Sequence, residues 1–452
     1  MFVNCFANES VEISVNRFKK ILGLKGFPIG KAEKEFKTLL NIPHGDLQRH
    51  ITSKRNDIVN YHLKHNSAYS DFAQLKQLEE WNDLPIMTKT DLQQPLQKRL
   101  SHGFKASNVF VNKTSGSSGN PFIFAKDKYA HAMTWAHIIW LYQQHGIDMN
   151  SSFEARFYGI PKDIIGHQKE RLKDLLANRH RFDIFDLSTE NLYKFLDLFR
   201  KKPFDYINGY TSSIVLFAKF LSEQNIVLKD VCPTLKICIT TSEMLFENDR
   251  ALLEEQLGLT VVNEYGASEL DVIAFENTNG DWEINTKTLY LEVVDNEGKV
   301  LPNGEEGDIV ITSLYNKAHP FIRYKIGDRG VKEDPSRSGI PVLKSLTGRT
   351  NEFAHLPSGK KVPALSFYYV TKSVIEDTGS VKEIKIIQET LKHFVIEYKS
   401  EKELDQNQRN KIKKAIETYL EKGLQLRFIR RDILERSKSG KLKQFTSRLE
   451  LQ

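Results

Sequence analysis

The chain has 452 residues, 40% apolar and 27% charged, the balance of an ordinary soluble protein with room for two or three domains. No run approaches the roughly 18 apolar residues that span a bilayer. The start, Met1-Phe-Val-Asn-Cys-Phe-Ala-Asn-Glu-Ser10, lacks a basic and apolar leader, so a cytoplasmic protein without membrane insertion is expected. The scattered Cys5, Cys232 and Cys238 form no C-x-x-C pair, which argues against a zinc site or disulfide framework and leaves buried structural thiols as the reading for the last two.

Residues 11 to about 100 read as helices and connectors, with apolar residues at helical spacing such as Leu75, Leu78 and Trp81. Leu84-Pro-Ile-Met-Thr-Lys-Thr-Asp-Leu92 reads as an extended step into a new helix, with Thr90 or Asp91 as cap. From about 105 to 275, short β-rich runs alternate with helical patterns. Phe204 to Asn208 leads into Gly209-Tyr-Thr-Ser-Ser213 and a helix, and Leu235 to Thr240 leads into Thr241-Ser-Glu243 and another. Thr260 to Asn263 leads into a predicted turn, Glu264-Tyr-Gly-Ala267. Repeated units of this kind predict a parallel sheet with ligands at the carboxyl ends of its strands.

From 289 to 331 the pattern changes to hairpins. Leu289 to Val294 meets the turn Asp295-Asn-Glu-Gly298, and Pro302-Asn-Gly304 precedes Asp308-Ile-Val-Ile-Thr312, as in an antiparallel sheet or small barrel. The last hundred residues read as a separate α+β module, with paired strands at 384–387 and 394–398. Its helix is capped by Asp405 with Gln408 and striped by Ile412, Ile416 and Leu420, and a strand follows at 424–429. The fold class expected is thus α/β: a large domain, 1–347, with parallel-rich sheets and a small antiparallel β subdomain, then a small mobile α+β domain, 348–452.

Three segments carry the chemistry. Thr114-Ser-Gly-Ser-Ser-Gly-Asn-Pro121 combines hydroxyl donors with glycines that let backbone N–H groups approach phosphate, although its composition equally fits a flexible linker. It is not a Walker A loop, since no Gly-Lys-Ser/Thr follows. Glu264-Tyr-Gly-Ala-Ser-Glu269 offers an aromatic to flank a purine and a carboxylate suited to Mg²⁺, or else a plain strand–helix turn capped by Ser268. Asp328, in Gly327-Asp-Arg-Gly330, suits ribose hydroxyls, or a simple turn. The basic stretch from Arg427 to Lys443 suits ATP phosphates better than nucleic acid, for which no motif is present; solvated charge explains most of its members.

In this order and spacing the segments resemble the core motifs of the acyl-adenylate-forming superfamily. They are most similar to the phenylacetate–CoA ligase and coenzyme F390 synthetase group and, within it, to the CapK-like proteins of capsule and exopolysaccharide clusters. The similarity runs from about residue 60 to the end and includes Leu84 to Leu92, residues 289–313 and Ser437-Lys-Ser-Gly-Lys-Leu-Lys443. It implies that Thr114, Ser115, Gly116, Ser117, Ser118 and Gly119 wrap the ATP phosphates. It implies that Ser242, Glu243 and Met244 line the adenine edge, that Glu264, Tyr265 and Gly266 form the adenine turn with Tyr265 on the base, and that Ser268 meets the α-phosphate. Glu269 would bind Mg²⁺, Asp328 the ribose with Arg349 assisting, and Lys441 would be the catalytic lysine. The hinge, usually Asp, is Asn351. Metal-ligand cysteines of some relatives are missing.

The implied activity is ATP-dependent activation of a small carboxylic acid as its acyl-adenylate, followed by transfer to a thiol of CoA or a carrier protein, with a homodimer allowed. Transfer to an amine, hydroxyl or saccharide is one alternative, and a silent nucleotide-binding accessory protein another. Trp135, Tyr158 and Tyr210 are candidate acyl-pocket residues, each equally readable as core packing.

Overall fold

The computed structural model describes residues 17–449 except Thr90, Gln93, 114–122, 159–163, Asp183, Phe185, Asp186, Ser188, 335–338, 350–352, Lys360, 364–366, 368–369, 371–380 and 436–444. Helices α1 (Arg17–Leu24), α2 (Ile29–Leu40), α3 (His44–His65) and α4 (Ser67–Ala73) come first, followed by the short α5 (Leu96–Arg99). Strands β1 (Phe110–Lys113) and β2 (Ile123–Lys126) pair antiparallel on either side of residues 114–122. Helix α6 (Lys128–Gln144) follows, its first turn held by the Asp127 carboxylate, which accepts from Tyr129 and Ala130 N–H. One stripe of α2 (Ile29, Ala32, Phe36 and Leu39) is buried, and Phe36 packs on α6 at His137 and Trp140.

The centre of the chain alternates strand and helix: β3 (Glu154–Phe157), α7 (Ile164–Leu176), β4 (Arg179–Phe182), α8 (Thr189–Lys201), β5 (Tyr206–Tyr210), α9 (Thr211–Glu223), α10 (Leu228–Val231), β6 (Ile237–Thr241), α11 (Glu247–Leu257) and β7 (Thr260–Ala267). Strands alone continue with β8 (Asp271–Glu276), β9 (Trp282–Ile284), β10 (Leu289–Val294), β11 (Glu306–Ser313), β12 (Tyr324–Glu333) and β13 (Val342–Arg349). All but β1 and β2 join one eleven-stranded sheet, β10-β11-β12-β13-β9-β8-β7-β6-β5-β3-β4. It is parallel from β4 to β7 and antiparallel beyond. The expected antiparallel subdomain is therefore hydrogen-bonded into the same sheet as the parallel strands.

Side chains alternate across the pleat. Ala155, Phe157, Phe182, Ile207 and Cys238 face α8, α9 and α11 in a closely packed core rich in phenylalanine. Phe157 stacks on Phe182 at 4.8 Å. Gly209 lets β3 and β5 meet there, because a Cβ on it would lie 2.5 Å from the Phe157 carbonyl oxygen. The other face packs under α6 through Tyr142, Tyr206, Ile237, Ile239 and Val262. Cys232 and Cys238 are buried and unbridged, as the sequence suggests, and burial pushes the Cys238 thiol up.

Beyond β13, β14 (Phe353–His355) pairs with β15 (Lys361–Pro363). Then β16 (Val381–Gln388), β17 (His393–Ser400), α12 (Gln406–Tyr419), β18 (Gln425–Arg430) and β19 (Phe445–Ser447) build a sheet in the order β18-β17-β16-β19. It has its own core, including Ile386, Ile396, Ile412 and Ile416. Asp405 and Gln408 form the expected reciprocal cap of α12. Arg427 and Arg431 of the basic stretch pair with Glu389 at 2.8 Å and Glu397 at 2.9 Å.

Three local expectations are corrected. Leu75, Leu78 and Trp81 do not share a helix: Gln74 adopts a left-handed conformation (φ 54°) that ends α4, and the Leu78 N–H is taken by the Asn60 side chain. All three nevertheless pack on one core, which is why their spacing looked helical. Asp91 caps no helix; its carboxylate accepts from Thr88 N–H and Oγ1 at 2.8 and 2.6 Å, and α5 starts later behind Pro95. Thr90 lies outside the described residues. Finally, 264–267 is not a turn. Strand β7 runs through Ala267, and the chain reverses over Ser268, Glu269 and Leu270 into an antiparallel strand rather than a helix.

Candidate active site

The reversal after β7 is tightly built. A Cβ at Gly266 would lie 2.9 Å from the carbonyl oxygen of Asp271, so the two strands can cross this closely only with glycine there. Asp271 itself has a φ of 78°, unusual for a side-chain-bearing residue. Its carboxylate is held by the buried Lys126 ammonium and by the Thr134 hydroxyl. The hairpin flanking residues 114–122 and helix α6 thus both anchor the turn that carries Ser268 and Glu269.

Ser268 is exposed at this turn. The Glu269 carboxylate is buried and accepts from the Tyr324 hydroxyl at 3.2 Å. Among the described residues no three acidic, histidine or cysteine side chains gather as a metal cage. A lone buried carboxylate suits Mg²⁺, which keeps waters and is held by one or two carboxylates together with substrate phosphates. The residues present therefore fit a magnesium site centred on Glu269.

Tyr265 and Asp328 come together from opposite halves of the sheet. The Tyr265 hydroxyl donates to Asp328 Oδ2 at 2.8 Å, and the ring meets Trp282 edge-on at 5.9 Å. Asp328 follows Gly327 (φ 95°) and pairs across the ladder with Arg349. The segment leaving β6, the strand beside β7, carries Ser242, exposed with φ 70°, then Glu243 and Met244. The Glu243 carboxylate accepts from the Ser212 N–H at 2.7 Å and so caps α9, while Met244 packs on the same core as Tyr265.

On the α6 side of the sheet lies a cleft of about 170 Å³ that Trp135 and Tyr158 help to line. Tyr210 stands behind Tyr158, ring centroids 4.6 Å apart. Two of the three expected pocket aromatics thus line the cleft and the third supports it. Its floor holds residues the sequence reading missed. Arg156 donates to Glu154 at 2.7 Å and lies over the Tyr158 ring at 3.9 Å. Arg179 donates to Asp174 at 2.6 Å. Glu264, expected beside the nucleotide, turns its side chain into the cleft instead and accepts from the Thr241 hydroxyl at 2.9 Å. Burial holds its carboxyl above the usual range. The overlooked signal is Glu154-Ala-Arg-Phe-Tyr158: a strand of a parallel sheet covered on both faces should read as continuously apolar, and this one alternates.

The expected phosphate loop (Thr114, Ser115, Gly116, Ser117, Ser118, Gly119), the hinge Asn351 and the lysine Lys441 lie outside the described residues, as does the side chain of Arg349.

No protein-family model matches the chain. It is 24% identical to protein CapK of Staphylococcus aureus over 315 residues, 66% of each chain. It is 24% identical over 285 residues to the phenylacetate–coenzyme A ligase of Pseudomonas putida, 61% of this chain and 62% of that one. It is 31% identical over 127 residues to that of Aromatoleum evansii, 26% and 28% of the two chains. These matches cover less than two thirds of each relative's length. Among solved structures, 2-hydroxyisobutyryl-CoA ligase in a postadenylation state with R3-HIB-AMP superposes with a TM-score of 0.69 over 90% of both chains at 16% identity. Anthranilate CoA ligase AuaEII with anthranoyl-AMP gives 0.52 over 76% of this chain and 66% of that one, at 14% identity. The fold is that of these ligases, and in sequence the chain is similar to CapK and to phenylacetate–CoA ligases.

Proposed function

We propose that the protein activates a carboxylic acid with ATP and passes the acyl group to a thiol, that of CoA or of a carrier protein. In the first half-reaction a carboxylate oxygen attacks the α-phosphorus, the bond to the β-phosphate breaks, and acyl-AMP and pyrophosphate form. In the second, a thiol attacks the acyl carbon, loses its proton, and AMP leaves. The observation that carries this reading is the junction at the end of β7, where the Tyr265 hydroxyl holds the Asp328 carboxylate, Glu269 is buried nearby in sequence, and a cleft opens beside Glu264.

Within it, Asp328 would accept from ribose hydroxyls, with its carboxylate aimed by Tyr265 and Arg349 assisting. Tyr265 and the backbone of Ser242, Glu243 and Met244 would enclose adenine. Thr114 to Gly119 would bind phosphates, with Ser268 at the α-phosphate. Magnesium, when bound at Glu269, would offset phosphate charge. Lys441 would stabilise charge developing between carboxylate oxygen and α-phosphorus, a task suited to a point charge on a flexible stem. Residues 1–347 would be the nucleotide-binding domain, and 348–452 a small domain turning about Asn351 between half-reactions. A use in capsule polysaccharide biosynthesis is part of the proposal, on the CapK-like resemblance of the motifs. Among the described residues no helix is long and apolar enough to cross a membrane.

The test is carboxylate-dependent ATP–pyrophosphate exchange over aryl, fatty, hydroxy and uronic acids. Lys441→Ala and Glu269→Ala are each expected to lower exchange about a hundredfold or more, the loss of one strong electrostatic contact in the transition state. Silence across the panel in folded, ATP-binding protein would leave an acid outside the panel or an accessory nucleotide binder.

A further inference from the structure

The floor of the cleft is built at odds with its setting. Strands β3 and β5 bury Ala155, Phe157 and Ile207 on their α8–α9 side, yet on the cleft side they present Glu154, Arg156, Tyr206 and Asn208. The Tyr206 hydroxyl lies 3.4 Å from Glu154, which already accepts from Arg156. The charges close on themselves: Arg156 with Glu154, and Arg179 with Asp174. An anionic tail entering here meets the carboxylates of Glu154 and Glu264; a cationic one meets two guanidinium groups. A neutral group that both donates and accepts hydrogen bonds suits every partner. The floor is already short of an acceptor, since the Nε–H of Arg156 is buried with no partner among the described residues. A hydrocarbon tail supplies no acceptor to relieve that shortage.

Size and walls narrow the choice. About 170 Å³ is comparable to the roughly 150 Å³ apolar cavity that accepts benzene, so the tail is about one six-membered ring or a six-carbon chain. The Trp135 and Tyr158 rings supply flat apolar surface for its carbon skeleton.

We infer that the acid taken into this cleft is hydroxylated and uncharged in its tail, of about six carbons, and that Glu154, Arg156 and Asn208 select it over unsubstituted aryl and alkyl acids. The inference rests on the adenylation reading for the fate of the acid, but not for its binding.

Matched pairs test it: quinate against cyclohexanecarboxylate, and gluconate against hexanoate, with phenylacetate and adipate alongside. Binding to the full chain in the presence of ATP is followed by calorimetry, and turnover by pyrophosphate exchange. A hydroxylated acid is expected to bind about a hundredfold or more tighter than its bare twin, because a site built for hydroxyls rejects an analogue that leaves its polar groups unpaired. That ratio should collapse in Glu154→Leu/Arg156→Leu, where removing both partners leaves neither charge of the pair stranded. Glu154→Gln, which keeps the shape, should narrow it if the double variant does not fold. Preference for phenylacetate, hexanoate or adipate, no binding of any hydroxylated acid, or an unchanged ratio in the variants would each overturn the inference. Binding of a hydroxylated acid without exchange would sink the adenylation reading and leave this one standing.

Discussion

Strands β3, β4 and β5 carry two interleaved sequences that behave as different materials. Toward α8 and α9, Ala155, Phe157, Phe182 and Ile207 interlock in a hydrocarbon core where Phe157 and Phe182 stack. Toward α6, one residue away along each strand, Glu154, Arg156, Arg179, Tyr206 and Asn208 form a floor of ion pairs and hydroxyls around open space. The first face holds the sheet together through area removed from water and close packing. The second adds little to stability, because desolvating its charges offsets much of their attraction. Stability and selectivity thus sit on opposite sides of the same strands.

Substitutions separate the two faces, and the largest effect is expected on the packed one. Phe157→Ala should lower unfolding free energy by about 3–5 kcal/mol, read from urea midpoints, without altering the ranking of acids among molecules still folded. A changed ranking would show that the faces are coupled. Arg156→Ala should cost about 2–3 kcal/mol, less than a fully buried pair because the guanidinium is partly exposed, by stranding the Glu154 carboxylate. Glu154→Leu added to it should recover most of that loss, which calorimetric melting can check.

A third prediction uses pH. His137, on the α6 roof, is held neutral by burial, its pKa lowered to about 3. Below about pH 6.5 the unfolded chain takes up a proton that the native chain refuses, so stability is full above that pH and falls toward pH 3. The slope is about 1.4 kcal/mol per pH unit, or roughly 2 kcal/mol at pH 5. His62, His131 and His319 are held neutral in the same way, so His137→Asn should remove one such contribution to the slope, whereas Phe157→Ala should shift the curve at all pH values alike. The smallest effect is expected far from both faces: Asp405→Ala removes the α12 cap and should cost about 1 kcal/mol, seen as a small drop in melting temperature with acid selectivity untouched.

Features that depend on neighbours in sequence were legible. The Asp405–Gln408 cap, the paired strands β16 and β17, and the hairpin that joins β10 to β11 each follow from residues a few positions apart. The nucleotide turn was legible as a motif, but its shape was not. Glycine and alanine at 266 and 267 suggested a turn, whereas the bend lies just beyond, before Asp271, which is held by Lys126 and Thr134 from distant parts of the chain. The union of parallel and antiparallel strands into one sheet escaped for the same reason, since the β7–β8 and β13–β9 pairings depend on tertiary contacts. The cleft was the least visible. Its lining is gathered from α6, β3, β4, β5 and β7, and only the alternation in β3 betrayed it.

The continuity of the large sheet bears on how the chain can be divided. Tyr265 and Asp328 meet across the line where strand direction changes, so each half of the sheet contributes one partner of that contact. Cutting at the exposed Asn279–Gly280 turn would part β8 from β9 and give each fragment a bare strand with unpaired amide and carbonyl groups. Such edges seek partners. The fragments would re-anneal along that seam or aggregate, and neither would serve as a stand-alone module.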